Sequence, residues 1–176
     1  NGPVVNFLRL AHTKTMDKPN GYSQEAMEKI SRKYTEQAKQ LNQTRTENMT
    51  DNTVIMVLSE TFSDPTRVPG VSFSEDPMPN IRHVKAQTTS GLMLSPGYGG
   101  GTANIEYQAL SGLSMANYSS TLSIAYQQLV PSLKWAPTLN QAWDKANGKG
   151  SSIAFHAYNR NMYFRDLNYK KFGFSK

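Results

Sequence analysis

A run of glycines ending in a hydroxyl is the first place in this chain where residue types and spacing point to chemistry. Gly97-Tyr-Gly-Gly-Gly-Thr-Ala-Asn104 places Thr102 where a helical pattern of small and apolar residues begins. Unbonded backbone N–H groups and the positive dipole end at a helix start favour an anion, so the position suits a phosphate-like group. It is not a nucleotide-binding loop of the Gly-x-x-x-x-Gly-Lys-Ser/Thr type, because no Lys precedes Thr102. On the glycines alone, the run reads equally well as a tight strand-to-helix turn. A threonine hydroxyl is a poor nucleophile at neutral pH and needs a base or a metal to become an alkoxide. Glu60, which follows the apolar run 53–58, is the candidate metal ligand, although by itself it is an ordinary strand-end carboxylate.

These groups must be delivered by regular elements. Thr53-Val-Ile-Met-Val-Leu58 is continuously apolar and β-rich, the pattern of a strand buried on both faces of a parallel sheet. In such sheets ligands bind at the carboxyl ends of the strands, which would bring Glu60 and the glycine run to one edge. Gly91-Leu-Met-Leu94 and Ser151-Ser-Ile-Ala-Phe155 read as further strands, the latter presenting His156. Helices are expected over 80–88, 103–113 and about 141–146. Another spans 23–41, where Met27, Ile30, Tyr34, Ala38 and Leu41 recur every three or four residues and Ser23 is suited to cap the start. The polar stretch 42–52 lacks periodicity and reads as a linker, with a boundary near residue 50. Trp135 and Trp143 read as core residues.

Composition narrows the classes. With 176 residues, 38% hydrophobic and 18% charged, the chain is a globular sequence long enough for a real core. The absence of Cys excludes a disulfide framework and thiolate metal sites, so a metal would use oxygen or imidazole ligands. No apolar run approaches the roughly 18 residues of a membrane-spanning helix. The net charge of +6 is uneven: residues 1–50 carry eight Lys/Arg against five Asp/Glu, 51–140 four against six, and 141–176 seven against two. The mildly acidic middle argues against a nucleic-acid surface. The basic end suits an anionic group, with Arg160, Lys170 and Lys171 read as a solvated basic face.

Three ordered segments carry a family resemblance: Val57-Leu-Ser-Glu-Thr-Phe-Ser-Asp-Pro-Thr-Arg-Val-Pro-Gly70, Ser95-Pro-Gly-Tyr-Gly-Gly-Gly-Thr-Ala-Asn-Ile-Glu-Tyr107, and 156–174. Over about residues 51–176 they resemble the lipoteichoic acid synthase family, phosphoglycerol transferases of the sulfatase and alkaline-phosphatase superfamily. Residues 1–50 resemble, more weakly, that family's linker between membrane helices and the external catalytic domain. The resemblance implies an α/β fold, a sulfatase-like sheet flanked by helices and preceded by a helical linker. It implies an enzyme at the outer face of a Gram-positive cell membrane, or released from it, that takes glycerol phosphate from phosphatidylglycerol. A covalent phospho-threonine would then pass the group to lipoteichoic acid or another wall glycan.

By motif, the resemblance makes Thr102 the nucleophile and a metal ligand, and Glu60 a second ligand for Mn²⁺ (or Mg²⁺). A His nine residues before an Arg, here His156 and Arg165, would contact the glycerol-phosphate group, with Tyr163 lining the pocket. The residue chemistry agrees, since Arg165 is a bidentate phosphoryl binder, His156 a donor or proton shuttle, and Tyr163 an apolar wall with a hydroxyl. The family completes its metal site with an Asp-His pair, and this chain contains no Asp-His dipeptide. The expectation is therefore the N-terminal part of a catalytic domain, lacking its C-terminal half and, alone, inactive and weak in metal binding. Two alternatives stand beside this reading. One is a sulfatase or phosphatase of the same superfamily, against which a Thr in place of the sulfatases' Cys or Ser weighs. The other is a non-catalytic module that binds anionic wall polymers through its basic flanks.

Overall fold

The computed structural model describes residues 2–11, 14–59, 61–97 and 100–175. Its helices, in chain order, are α1 (Pro3–Ala11), α2 (Gln24–Asn42), α3 (Pro79–Gln87), α4 (Thr102–Ser111), α5 (Ala125–Gln128), α6 (Leu139–Asn147) and α7 (Arg165–Phe172). Short 3-10 turns connect several of them.

Local signals account for the helices that the periodicity anticipates. The Ser23 side chain accepts the Ala26 N–H at 3.1 Å and starts α2. Pro79 occupies the first turn of α3, where its missing N–H leaves no bond unmade. Thr138 caps α6 by accepting the Gln141 N–H, and Gly112 ends α4 at a φ of +70°. A helical pattern does not guarantee a buried face, however. None of the described residues of α2 is buried, and Met27, Ile30, Tyr34 and Leu41 all face solvent.

The core is assembled from the second half of the chain. Ala103 and Tyr107 of α4 meet Leu122, Ala125, Tyr126, Leu129, Val130, Ala136 and, from α7, Phe172. Tyr126 and Phe172 lie ring against ring, 5.4 Å apart and tilted by 50°. Each large side chain so enclosed contributes about 1.5–3 kcal/mol of apolar burial, which makes this cluster the main cohesive element among the described residues. The segment after α1 joins it through the Ser119 N–H, which donates to the Thr15 carbonyl at 2.9 Å.

Three expectations require correction. No strand forms among the described residues, and the runs 53–58, 91–94 and 151–155 are not paired into a sheet. Their side chains are open: Ile55 is 82%, Leu94 92% and Phe155 93% exposed. A strand satisfies its N–H and C=O groups only through a neighbour, so an apolar run without one is not a strand whatever its composition. The second correction concerns the tryptophans, because Trp135 is exposed and Trp143 half-buried. The third concerns helices that the pattern does not reveal, namely α1, the one-turn α5, and α7, whose sequence has no amphipathic period.

Candidate functional site

The glycine run is held close to α4. A Cβ on Gly97 would stand 2.6 Å from Ile105 Cδ1 and 2.9 Å from the Gly100 carbonyl, so only glycine fits there. Gly101, at a φ of +89°, makes the left-handed step into α4 and has no side chain to cap it. Its carbonyl accepts the N–H groups of Asn104 (2.8 Å) and Ile105 (3.3 Å). Thr102 is therefore the first residue of a ten-residue helix, and it is half-buried. Asn104 locks this helix start in place. Its Nδ2 donates to the Ser123 carbonyl at 2.7 Å, and its Oδ1 accepts the Ala125 N–H at 3.0 Å.

One turn along α4 from Thr102 stands Glu106, on the same helix face because residues i and i+4 are neighbours about 5–6 Å apart. Its carboxylate is buried and holds Arg165 along one side of the guanidinium. Nε lies 3.1 Å from both carboxylate oxygens and Nη2 is 2.6 Å from Oε1. The side chains of Arg165 and Glu106 are only 3% and 9% exposed. The Tyr169 hydroxyl donates to Glu106 Oε2 at 3.1 Å. Burial and then the Glu106 charge raise that phenol to about 12. Burial works against the Arg165 charge, but the hydrogen bonds and charge of Glu106 outweigh it and hold the guanidinium above its ordinary pKa.

Arg165 is delivered by a strained turn. Tyr163 and Phe164 both have a φ of +56°, a left-handed conformation that costs roughly 1–2 kcal/mol at each non-glycine residue. The fully buried Asn168 holds this turn by donating to the Tyr163 carbonyl at 3.0 Å and the Tyr126 carbonyl at 2.8 Å. Arg165 Nη1 donates to the Met162 carbonyl at 3.2 Å, and the Tyr163 ring lies 5.3 Å from the guanidinium carbon. Strain of this kind persists only where its surroundings over-determine it.

The residues singled out from the sequence are thus distributed unequally. Arg165 and Tyr163 stand together, and Glu106 links them to the helix that starts at Thr102. His156 is exposed, with Nδ1 3.2 Å from both the N–H and the carbonyl of Tyr158, and no hydrogen bond among the described residues joins it to Thr102, Tyr163 or Arg165. Glu60 lies outside the described residues. Sequence reasoning missed Glu106, Asn104 and Asn168. For Glu106 a signal was present, since a lone carboxylate between Ile105 and Tyr107, in register with Thr102, needs a buried cation.

Among the described residues no three His, Asp or Glu side chains come together as metal ligands.

Comparison with known proteins gives this arrangement its class. The sulfatase family matches residues 52–176, and the chain belongs to that family, which gives it a sulfatase-type fold. Its structure is similar to that of the Streptococcus pyogenes phosphoglycerol transferase GacH in complex with sn-glycerol-1-phosphate. The TM-score is 0.84 and the identity 41%, covering 92% of this chain and 41% of the streptococcal one. The chain is also 40% identical, over 122 residues, to a protein of Rhizobium meliloti (strain 1021) assigned provisionally to cyclic beta-1,2-glucan modification. That match takes in 69% of this chain and 18% of the rhizobial protein. The chain therefore spans less than half the length of either relative.

Proposed function

We propose that this chain is part of a phosphoglycerol transferase that works through a covalent intermediate on Thr102. The observation that carries the reading is the likeness, at 41% identity over 92% of the chain, to a phosphoglycerol transferase whose structure contains sn-glycerol-1-phosphate. The position of Thr102 supports it. A hydroxyl at the start of α4 lies where backbone amides and the helix dipole favour the charge of a phosphoryl group.

In the first step the Thr102 Oγ–P bond forms and the P–O bond to the lipid alcohol of phosphatidylglycerol breaks. The hydroxyl proton ends on the departing diacylglycerol. In the second, an acceptor hydroxyl attacks the same phosphorus, the Oγ–P bond breaks, and the threonine hydroxyl is restored. Arg165, Tyr163 and His156 are the residues proposed to receive the glycerol-phosphate group. Glu60 and Thr102 are the residues that, by the family resemblance, would hold a Mn²⁺ or Mg²⁺ ion. The rhizobial relative's assignment to glucan modification favours a glycan acceptor, lipoteichoic acid being one member of the wider class. We place the reaction at the outer face of the cell membrane, where both lipid and acceptor would be met. No helix among the described residues is long and apolar enough to cross a membrane.

The test uses the intact protein with phosphatidylglycerol labelled in its glycerol headgroup. The wild type should carry the label on Thr102, located by peptide mass spectrometry, and Thr102→Ala should lose both label and turnover. Full turnover by Thr102→Ala would remove the covalent assignment.

A further inference from the structure

The Glu106–Arg165 pair is the only ion pair among the described residues with both side chains buried, and it lies in register with the proposed nucleophile. Two features separate it from a merely structural clamp. The first is its occupancy. A guanidinium has five N–H groups. Here Nε and one hydrogen of Nη2 go to Glu106 and one hydrogen of Nη1 goes to the Met162 carbonyl. The remaining N–H groups of Nη1 and Nη2 belong to a side chain only 3% exposed, beside the Tyr169 hydroxyl, which also interacts with Arg165. A rigid guanidinium plane that Glu106 grips along only one edge keeps N–H groups whose geometry matches the oxygens of a phosphoryl group. The second feature is the effort with which the guanidinium is held. Two successive left-handed residues lead into Arg165, Asn168 fixes the Tyr163 carbonyl, and Tyr169 donates to the carboxylate that faces the arginine.

We propose that Glu106, one helical turn from Thr102, is a positioning residue for phosphoryl transfer: its carboxylate takes one edge of Arg165 and fixes the guanidinium beside the helix that Thr102 starts, with its other N–H groups serving the phosphoryl oxygens. This rests on the function proposed above. Glu106 acts through Arg165 and touches no substrate itself. The carboxylate also keeps a buried cation from drawing the substrate anion too tightly, because the pair as a unit is neutral and offers hydrogen bonds rather than net charge.

A double-mutant cycle in the intact protein tests it, with kcat/KM for phosphatidylglycerol and the affinity for sn-glycerol 1-phosphate both corrected for the folded fraction seen by circular dichroism. Glu106→Gln and Arg165→Lys should each lower kcat/KM roughly 10–100-fold, as expected when an orienting contact behind a working group is lost. The two together should cost no more than the larger single loss, since both break one unit. A third variant, Glu106→Leu with Arg165→Met, replaces the pair by apolar groups of similar size and should recover thermal stability without recovering turnover. Wild-type kcat/KM in Glu106→Gln, additive losses in the cycle, or turnover restored along with stability in the apolar variant would each overturn the proposal. Should Thr102→Ala abolish turnover while Glu106→Gln leaves it intact, only this inference falls. A wild-type protein that neither turns over phosphatidylglycerol nor binds sn-glycerol 1-phosphate would overturn the proposed function and this inference together.

Discussion

Two arginines in this chain grip carboxylates with two nitrogens each, in opposite surroundings. Arg82 of α3 donates through Nη1 and Nη2 to Asp64 at 2.9 and 3.1 Å, and through Nε to Asp76 at 2.8 Å. Its side chain is 38% exposed and that of Asp64 21%. Arg165 donates through Nε and Nη2 to Glu106 with side chains 3% and 9% exposed. The guanidinium edge used, the number of facing carboxylates and, above all, the access of water differ. Around Arg82, water and salt screen the charges and the pairs organise a surface loop. Around Arg165, neither charge could remain buried without the other, so the pair couples α4 to α7. The same interaction is a local fastening in one region and a condition of the fold in the other.

The strongest way to break this contrast is Glu106→Ala. Leaving the Arg165 charge buried and unpaired should cost about 3–5 kcal/mol, read as a drop in the midpoint of urea unfolding at unchanged slope. A loss below 1 kcal/mol would mean that water reaches Arg165 and that the contrast is false.

A smaller effect concerns alkaline pH. The Tyr169 phenol is raised to about 12, first by burial and then by Glu106, so the fold favours its neutral form. The stability this supplies is complete below the ordinary tyrosine range near 10 and is lost as pH rises through about 12. Wild-type stability should therefore fall between these values more steeply than that of Tyr169→Phe. Parallel curves would show that Tyr169 does not feel the buried pair.

The smallest effect belongs to the surface. The Arg82 guanidinium holds the Asp64 carboxyl well below the usual carboxylate range by donating hydrogen bonds to it, so the pair is present at neutral pH and lost only in acid. Asp64→Asn should leave the thermal midpoint almost unchanged, and any difference should vanish in high salt. A loss as large as that of Glu106→Ala would erase the distinction between the two regions.

The elements readable in advance were those whose signals are local. Ser23 marks the start of α2 within a few residues, and α2, α3, α4 and α6 lie close to where the sequence pattern places them, although Gly112 ends α4 inside the span expected to be helical. What periodicity could not show is whether a face is covered. The apolar stripe of α2 stays open, while α4, with a weaker pattern, buries Ala103, Ile105, Glu106 and Tyr107. The runs 53–58, 91–94 and 151–155 have strand composition, yet a sheet is completed by partners distant in sequence, and none pairs with them among the described residues. α7 was illegible because it begins from a strained turn that Asn168 holds from within the fold, not from a capping residue.

The site divides along the same line. The glycine run and the placement of Thr102 at the head of α4 follow from the sequence by itself, because a hydroxyl after successive glycines at the start of a helical pattern has few other geometries. The family resemblance is likewise written in contiguous motifs. Only the tertiary structure put Glu106 opposite Arg165, 59 residues away along the chain, and made a presumed substrate arginine half of a buried pair. The physical reason is that helix ends and turns are determined by neighbours within one turn, whereas the partner of a buried charge is chosen by whichever chain segment the packing of Tyr107, Tyr126 and Phe172 brings alongside it.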